Sequence, residues 1–202
     1  DTLRGNRRMA CGCNTLILRK MHIDYIRKDL TRDEGMILRP YFCPAGFLTV
    51  GVGRNLEGNG LSIGEMIALI RGDDRRLARF PKDFESLDGE ILFTTLVRDM
   101  KLHGISPQEA AMLLDNDIFE CTEQLRRKLK WFDTAPSELQ EVLVNMCFNM
   151  GIRTLLTFRN TLFLMSVGEY DRAAANMLKS KWARQVKARA QRLAERVRAI
   201  ND

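Results

Sequence analysis

Apolar residues along this chain recur mostly at helical spacing, with one stretch where the pattern changes. Ile23, Ile26 and Leu30 share one face of a helix predicted from about His22 to Glu34. The run Tyr41-Phe42-Cys43-Pro44-Ala45-Gly46-Phe47-Leu48-Thr49-Val50-Gly51-Val52-Gly53 then reads as a β-hairpin. Pro44 and Gly46 mark its turn, and aromatic and β-branched residues flank them. Helical spacing returns after it. Ser62 and Glu65 have capping-box spacing, and Gly72 closes that short helix. Leu92, Phe93, Leu96, Val97 and Met100 form a second stripe. Ser106-Pro107-Gln108-Glu109 opens a helix expected to reach the 120s. From Ser137, the residues Leu139, Val142, Leu143, Met146 and Met150 predict a very apolar helix, stopped by Gly151, at the centre of a bundle. Further helices are expected near 160–167, 169–179 and 186–199, while residues 1–20 have no clear period and read as an extension. The fold class is α+β and mostly α. A small hairpin-bearing lobe covers about 35–103, and a larger helical lobe covers about 104–202 and takes in the first helix. A cleft between two such lobes is where an active site is expected.

Composition narrows the class. Of 202 residues, 45% are hydrophobic and 29% charged, the balance of a folded globular chain, and no apolar run nears the roughly 20 residues that span a bilayer. Residues 4–18 imitate a signal peptide, with Arg4, Arg7 and Arg8 ahead of Met9-Ala10-Cys11. Their apolar part is short, is broken by Asn14 and runs into Arg19-Lys20, so secretion by this segment is not expected. The net charge of +6 favours an anionic partner: nucleic acid, a membrane surface or an acidic wall polymer. No aromatic–basic stripe accompanies the charge, which argues against nucleic acid. The five cysteines, Cys11, Cys13, Cys43, Cys121 and Cys147, are an odd set without paired spacing, and only His22 and His103 could join them as ligands. Neither a structural metal nor a disulfide framework is expected, and Cys121 and Cys147 read as small core residues.

Three ordered blocks carry a family resemblance. The first is Asp33-Glu34-Gly35 with Tyr41 and the Gly46–Gly53 stretch. In it, eight residues separate Glu34 from Cys43 and five separate Cys43 from Thr49. The second is Asn145-Met146-Cys147-Phe148-Asn149-Met150-Gly151 with Phe158-Arg159-Asn160-Thr161-Leu162. The third is Asn176-Met177-Leu178-Lys179-Ser180-Lys181-Trp182 with Gln185 and Arg189-Ala190. Together they resemble the phage-type lysozymes of the T-even-phage kind, a family of two-lobed glycoside hydrolases that act on bacterial peptidoglycan. The family's second catalytic position is Asp or sometimes Cys, and here it is Cys43. Residues 1–20 have no counterpart, and the stretch from about Glu57 to His103 is longer than in the shortest members.

The resemblance implies roles. Glu34 becomes the general acid that protonates the leaving oxygen, and Thr49 holds a water opposite the scissile bond. Cys43 is either a thiolate that orients water or attacks carbon, or a structural residue of the hairpin. Because a free thiol ionises near pH 8.5, the thiolate needs help, for which Arg39 and Arg54 are nearby in sequence. Arg189 corresponds to a family arginine that supports the catalytic Glu. Asn55, Phe148, Thr161 and Asn176 correspond to glycan-binding positions, and Arg54 is expected to pair with Asp117 and brace the lobes. Lys179, Lys181, Arg184, Lys187, Arg189, Arg192, Arg196 and Arg198 make a basic C-terminal region. Its ordinary reading is a solvated helix face, with Ala188, Leu193, Val197 and Ile200 turned to the bundle, and its functional reading is a salt-sensitive attraction to the anionic wall. The expected activity is that of an N-acetylmuramidase needing no cofactor, with bacterial peptidoglycan as partner, no nucleic acid, no stable membrane insertion and a monomeric state. Such an enzyme waits in the host cytoplasm until a membrane pore releases it to the wall, or travels in the virion. The rivals are a lytic transglycosylase and a catalytically weak wall-binding or virion structural module.

Overall fold

The computed structural model describes residues 22–201. Cys11, Cys13, the signal-like segment and the rest of residues 1–21 lie outside the described residues. The described chain forms two compact units, residues 27–118 and residues 22–26 with 119–201. Helix α1 (Ile23–Glu34) leads into strands β1 (Ile37–Phe42), β2 (Leu48–Gly51) and β3 (Arg54–Asn55). Then come α2 (Ile63–Arg71), α3 (Asp74–Leu77), α4 (Gly89–His103) and α5 (Pro107–Lys128). The remainder is α6 (Ser137–Leu155), α7 (Arg159–Ser166), α8 (Tyr170–Leu178), α9 (Lys181–Val186) and α10 (Ala188–Arg198). The class is therefore α+β and mostly helical, as expected. The division between units falls inside α1 and α5, so most of α1 and the first half of α5 group with the sheet.

In the unit of residues 27–118 the sheet is antiparallel in the order β1-β2-β3. Tyr41 pairs with Thr49 and Phe42 with Leu48, while the ladder is irregular between Ile37 and Tyr41. Pro40 lies in that irregular stretch and has no N–H to give to a ladder. All four residues of β2 are buried. Leu48 and Val50 join Met66, Leu69, Ile70, Leu96 and Met100 in one apolar core. Both capping boxes form. The Ser62 side chain accepts from the Glu65 N–H at 3.2 Å, and the Glu65 carboxylate accepts from the Ser62 N–H at 2.8 Å. Ser106 and Glu109 repeat the exchange at 2.7 and 3.1 Å.

Two guanidinium groups are buried among these elements. Arg54 donates to Asp117 Oδ2 at 3.0 Å, Glu65 Oε1 at 2.6 Å and the carbonyls of Gly60 and Leu113. The expected Arg54–Asp117 pair is present, but both partners belong to the same unit. It fastens the sheet to α2 and α5 and does not join the two units. Arg76, 1% exposed, donates to Asp99 Oδ2 at 3.0 Å and to the Leu69 and Gly104 carbonyls, and it pairs with Glu109. Burial pushes the Glu65 carboxyl up, but hydrogen bonds from Asn116 and Ser62 and the Arg54 charge outweigh it and hold the group below its ordinary range.

In the unit that holds residues 119–201, α6 is central: every residue from Leu139 to Cys147 is buried. Gly151 leaves helical geometry at φ 75°, ψ 154°, so the predicted stop is a break after which the helix resumes to Leu155. Helix α10 packs on α8 and α6. It buries Ala190, Leu193, Ala194 and Val197, whereas Ala188 is exposed and Ile200 half-buried. Its basic residues are not one solvated face. Arg189 is buried, and Arg196 pairs with the buried Glu141, which also accepts from the His22 N–H at 3.1 Å. Cys147 is buried as expected, and Cys121 is half-buried.

Removing Arg54 strands two buried carboxylates. Arg54→Met is expected to cost about 3–5 kcal/mol in denaturant unfolding. Arg71→Met, which breaks the exposed Arg71–Glu85 pair, is expected to change stability by about 1 kcal/mol or less.

Candidate active site

The turn after β1 sets the first group in place. Gly46 N–H donates to the Cys43 carbonyl at 2.8 Å, closing a turn with Pro44 at its second position. Cys43 N–H donates to the Phe47 carbonyl at 3.0 Å. Cys43 itself is half-buried. The Phe47 N–H, with those of Ala45 and Gly46 and the Thr49 hydroxyl, holds the Cys43 thiol below the ordinary cysteine range, against a smaller opposing effect of burial. The pull comes from main-chain dipoles and not from Arg54, which is turned to Asp117 and Glu65.

Thr49 is 3% exposed, and its Oγ1 donates to the Phe47 carbonyl at 3.0 Å. The hydroxyl has one proton and two acceptors in reach, the carbonyl and the sulfur. Tyr41, opposite Thr49 in the ladder, is half-buried. Burial raises its phenol pKa, and the charges of Cys43 and Glu34 raise it further, so both groups act on the same ring.

Glu34 is the last residue of α1 and half-buried. It lies against the β2–β3 turn: a Cβ built on Gly53 would stand 3.5 Å from Glu34 Cγ and 3.6 Å from its Oε2. Gly53 holds φ at +73°, a region costing an ordinary L-residue about 1–2 kcal/mol. Glycine therefore keeps this turn beside the carboxylate without strain. Asn55 closes the next turn, its Oδ1 accepting from Glu57 N–H at 2.9 Å and Gly58 N–H at 2.8 Å.

The remaining predicted residues belong to the other unit. Asn176 Nδ2 donates to Thr161 Oγ1 at 3.0 Å, and both line a cavity of about 740 Å³. Phe158 and Trp182 stand edge to face at 6.2 Å in its wall, and Trp182 Nε1–H is fixed by Asn149 Oδ1 at 2.8 Å. Phe148 is half-buried on α6, just before the Gly151 break, and is not part of this lining. Arg189 donates through Nε to Asn145 Oδ1 at 2.8 Å and through Nη2 to the Asn145 carbonyl at 3.2 Å. Tyr41, Gly53, Trp182 and Gln185 carry no site role in the sequence pattern. Their only signal was membership of the three blocks.

The elements agree with the class the sequence resembles, and over most of its length the chain is similar to phage-type lysozymes. No family model matches it. It is 25% identical over 170 residues to the pre-baseplate central spike protein Gp5 of Enterobacteria phage T4, a match covering 81% of this chain and 26% of that protein. It is also 25% identical over 175 residues to probable T4-type lysozyme 1 of Dictyostelium discoideum, covering 85% of this chain and 92% of that relative. The chain thus spans about a quarter of the spike protein and nearly all of the Dictyostelium protein.

Alkylation of Cys43 by iodoacetamide, followed peptide by peptide, is expected to have its pH midpoint below the free-thiol value of about 8.5. Thr49→Val removes one donor to the thiolate and is expected to move that midpoint upward. A midpoint at or above the free value would remove the activated-thiol account.

Proposed function

We propose that this chain is a lysozyme-like peptidoglycan hydrolase of the N-acetylmuramidase type, cutting the β-1,4 bond between N-acetylmuramic acid and N-acetylglucosamine. The observation that carries the reading is the hairpin itself. The turn after β1 sets the Cys43 thiol beside main-chain N–H groups and the Thr49 hydroxyl, and Tyr41 near the end of β1 feels both that thiol and Glu34.

Glu34 gives its proton to the glycosidic oxygen as the bond to the anomeric carbon breaks, and positive charge builds on the sugar. The Cys43 thiolate takes a proton from a water held at Thr49, and the resulting hydroxide adds to the anomeric carbon with inversion. Had the sulfur attacked carbon directly, a covalent intermediate would give retention, so the anomer of the fresh product assigns the role of Cys43. Asn55 Nδ2, Phe148, Thr161 and Asn176 meet the glycan, and Arg189, steadied by Asn145, is a supporting cation. The reading requires no cofactor or metal. As a phage enzyme the chain would reach the wall through a membrane pore or in the virion, and no described helix is long and apolar enough to cross a membrane.

Mass analysis of fragments from purified peptidoglycan tests the reading. The native chain is expected to release reducing-end muropeptides, and Glu34→Gln to lose about 10²–10⁴-fold in rate. Anhydro ends would make the enzyme a transglycosylase, and pelleting with the wall without any fragments would make it a binding module.

Cys43→Ala is expected to lose activity on the same scale of about 10²-fold or more, while Cys43→Asp, the family's usual residue, retains it. Full turnover by a folded Cys43→Ala protein would deny the thiol a catalytic role.

A further inference from the structure

Cys121 and Cys147 stand on different helices and meet. Cys121 lies in the second half of α5, just before the buried Thr122 and one turn before the buried Leu125, so it belongs to the stripe that α5 turns inward. Cys147 is the last residue of the buried run of α6. Both belong to the unit that holds residues 119–201. The Cys121 S–H donates to the Cys147 sulfur, which puts the two sulfur atoms in contact. That hydrogen bond holds the Cys147 thiol below the ordinary cysteine range, against burial and the Glu120 charge. The two differ in access, since Cys121 is half-buried and Cys147 is buried.

Packing alone asks only for a small side chain at each position. Two thiols in contact across packed helices have a further chemistry. A disulfide constrains both of its backbones closely, and sulfur atoms that already touch are the starting geometry for one. We infer that Cys121 and Cys147 are a redox-modified pair, which a small-molecule disulfide oxidises to an internal disulfide clasping α5 to α6. The more accessible Cys121 gives its proton to water and attacks one sulfur of the small disulfide, releasing one thiol and leaving a mixed disulfide at Cys121. The Cys147 thiolate, its proton also lost to water, then attacks the Cys121 sulfur and displaces the second small thiol. The pair gives up two electrons, and the small disulfide takes them up to leave as two thiols. The clasp closes the chain from α5 through the turn at Phe132–Thr134 to α6, which restricts the unfolded chain and so favours the folded one. A chain that passes from a reducing cytoplasm to an oxidising compartment, as the proposed function has it, meets the condition for closure. The chemistry itself does not depend on that reading.

The test incubates the full chain with glutathione disulfide in excess over reduced glutathione. Acid quenching, denaturation, alkylation and peptide mass analysis follow. The expected result is a linked pair of peptides carrying Cys121 and Cys147, released by dithiothreitol. Cys147→Ala is expected to stop at a glutathione adduct on Cys121, and Cys121→Ala to leave Cys147 without an adduct. The oxidised parent is expected to have an unfolding equilibrium constant roughly hundredfold smaller than the reduced parent, the scale of a loop of a few tens of residues. Cys11→Ser with Cys13→Ser is expected to keep that gain, and Cys121→Ala to lose it. Each protein is compared with itself, oxidised against reduced, so a variant's own stability does not enter. An adduct on Cys121 of the parent that never resolves overturns the inference. So does an adduct on Cys147 in Cys121→Ala, or closure of the pair without a gain in stability. Peptide mapping and unfolding are read without peptidoglycan, so failure of the native chain to release wall fragments would sink the hydrolase reading alone.

Discussion

The candidate site depends on a buried guanidinium. Arg54 follows Gly53 directly, and Gly53 is the backbone that lies against Glu34. Strand β3 has two residues and cannot hold this turn by ladder hydrogen bonds alone. Arg54 holds it through Asp117 on α5, Glu65 on α2 and two carbonyls. Taking that many charges out of water is favourable only when each is hydrogen-bonded, and here the partners converge from two helices and the loop between β3 and α2. The same convergence restricts where β3 can sit, and so fixes the distance between Gly53 and the end of α1. A hydrophobic replacement could recover the stability of this cluster without recovering its directionality.

The hairpin solves a different problem. A thiol is a weak acid beside a carboxyl, and burial opposes its ionisation. The turn instead presents N–H groups to the sulfur, led by that of Phe47, because Pro44 and Gly46 bring the chain back within two residues of the strand end. These dipoles favour the charged form without placing a cation where a cationic sugar must develop. An arginine in that position would stabilise the thiolate and oppose the oxocarbenium charge of glycoside cleavage. Arg54, close in sequence, is held elsewhere by two acids, which keeps its charge away from the sulfur.

Most of the secondary structure was legible because its signals are local. Ser62 with Glu65 and Ser106 with Glu109 carry both halves of a capping box within four residues, and each box forms. Strand β3 and the short helices α3 and α9 were not legible. A two-residue strand exists through its pairing with Thr49 and Val50, and no pattern of two residues announces it. The pairing of Arg54 with Asp117 followed from the resemblance, but Glu65 as a second acid did not, since it already had an N-terminal capping role in the sequence. Tyr41 was visible only as part of a motif. Its relation to Cys43 and Glu34 depends on the register that places it opposite Thr49.

The basic C-terminal region shows why charge read along a sequence is a poor map of charge on a surface. Arg189 and Arg196, which look like neighbours of Lys179 and Lys181 in one basic run, turn inward to Asn145 and Glu141 and serve the bundle. Arg159 and Arg172, which lie outside that run, join Lys179 and Lys181 around two neighbouring hollows once α7, α8 and α9 pack. The sorting follows from partners. A guanidinium can be buried where an amide or carboxylate receives it in a fixed plane, while an ammonium on a long stem stays in water unless a ligand supplies its counter-charge. The net charge of the chain is therefore divided between arginines that hold the fold and cations left at the surface.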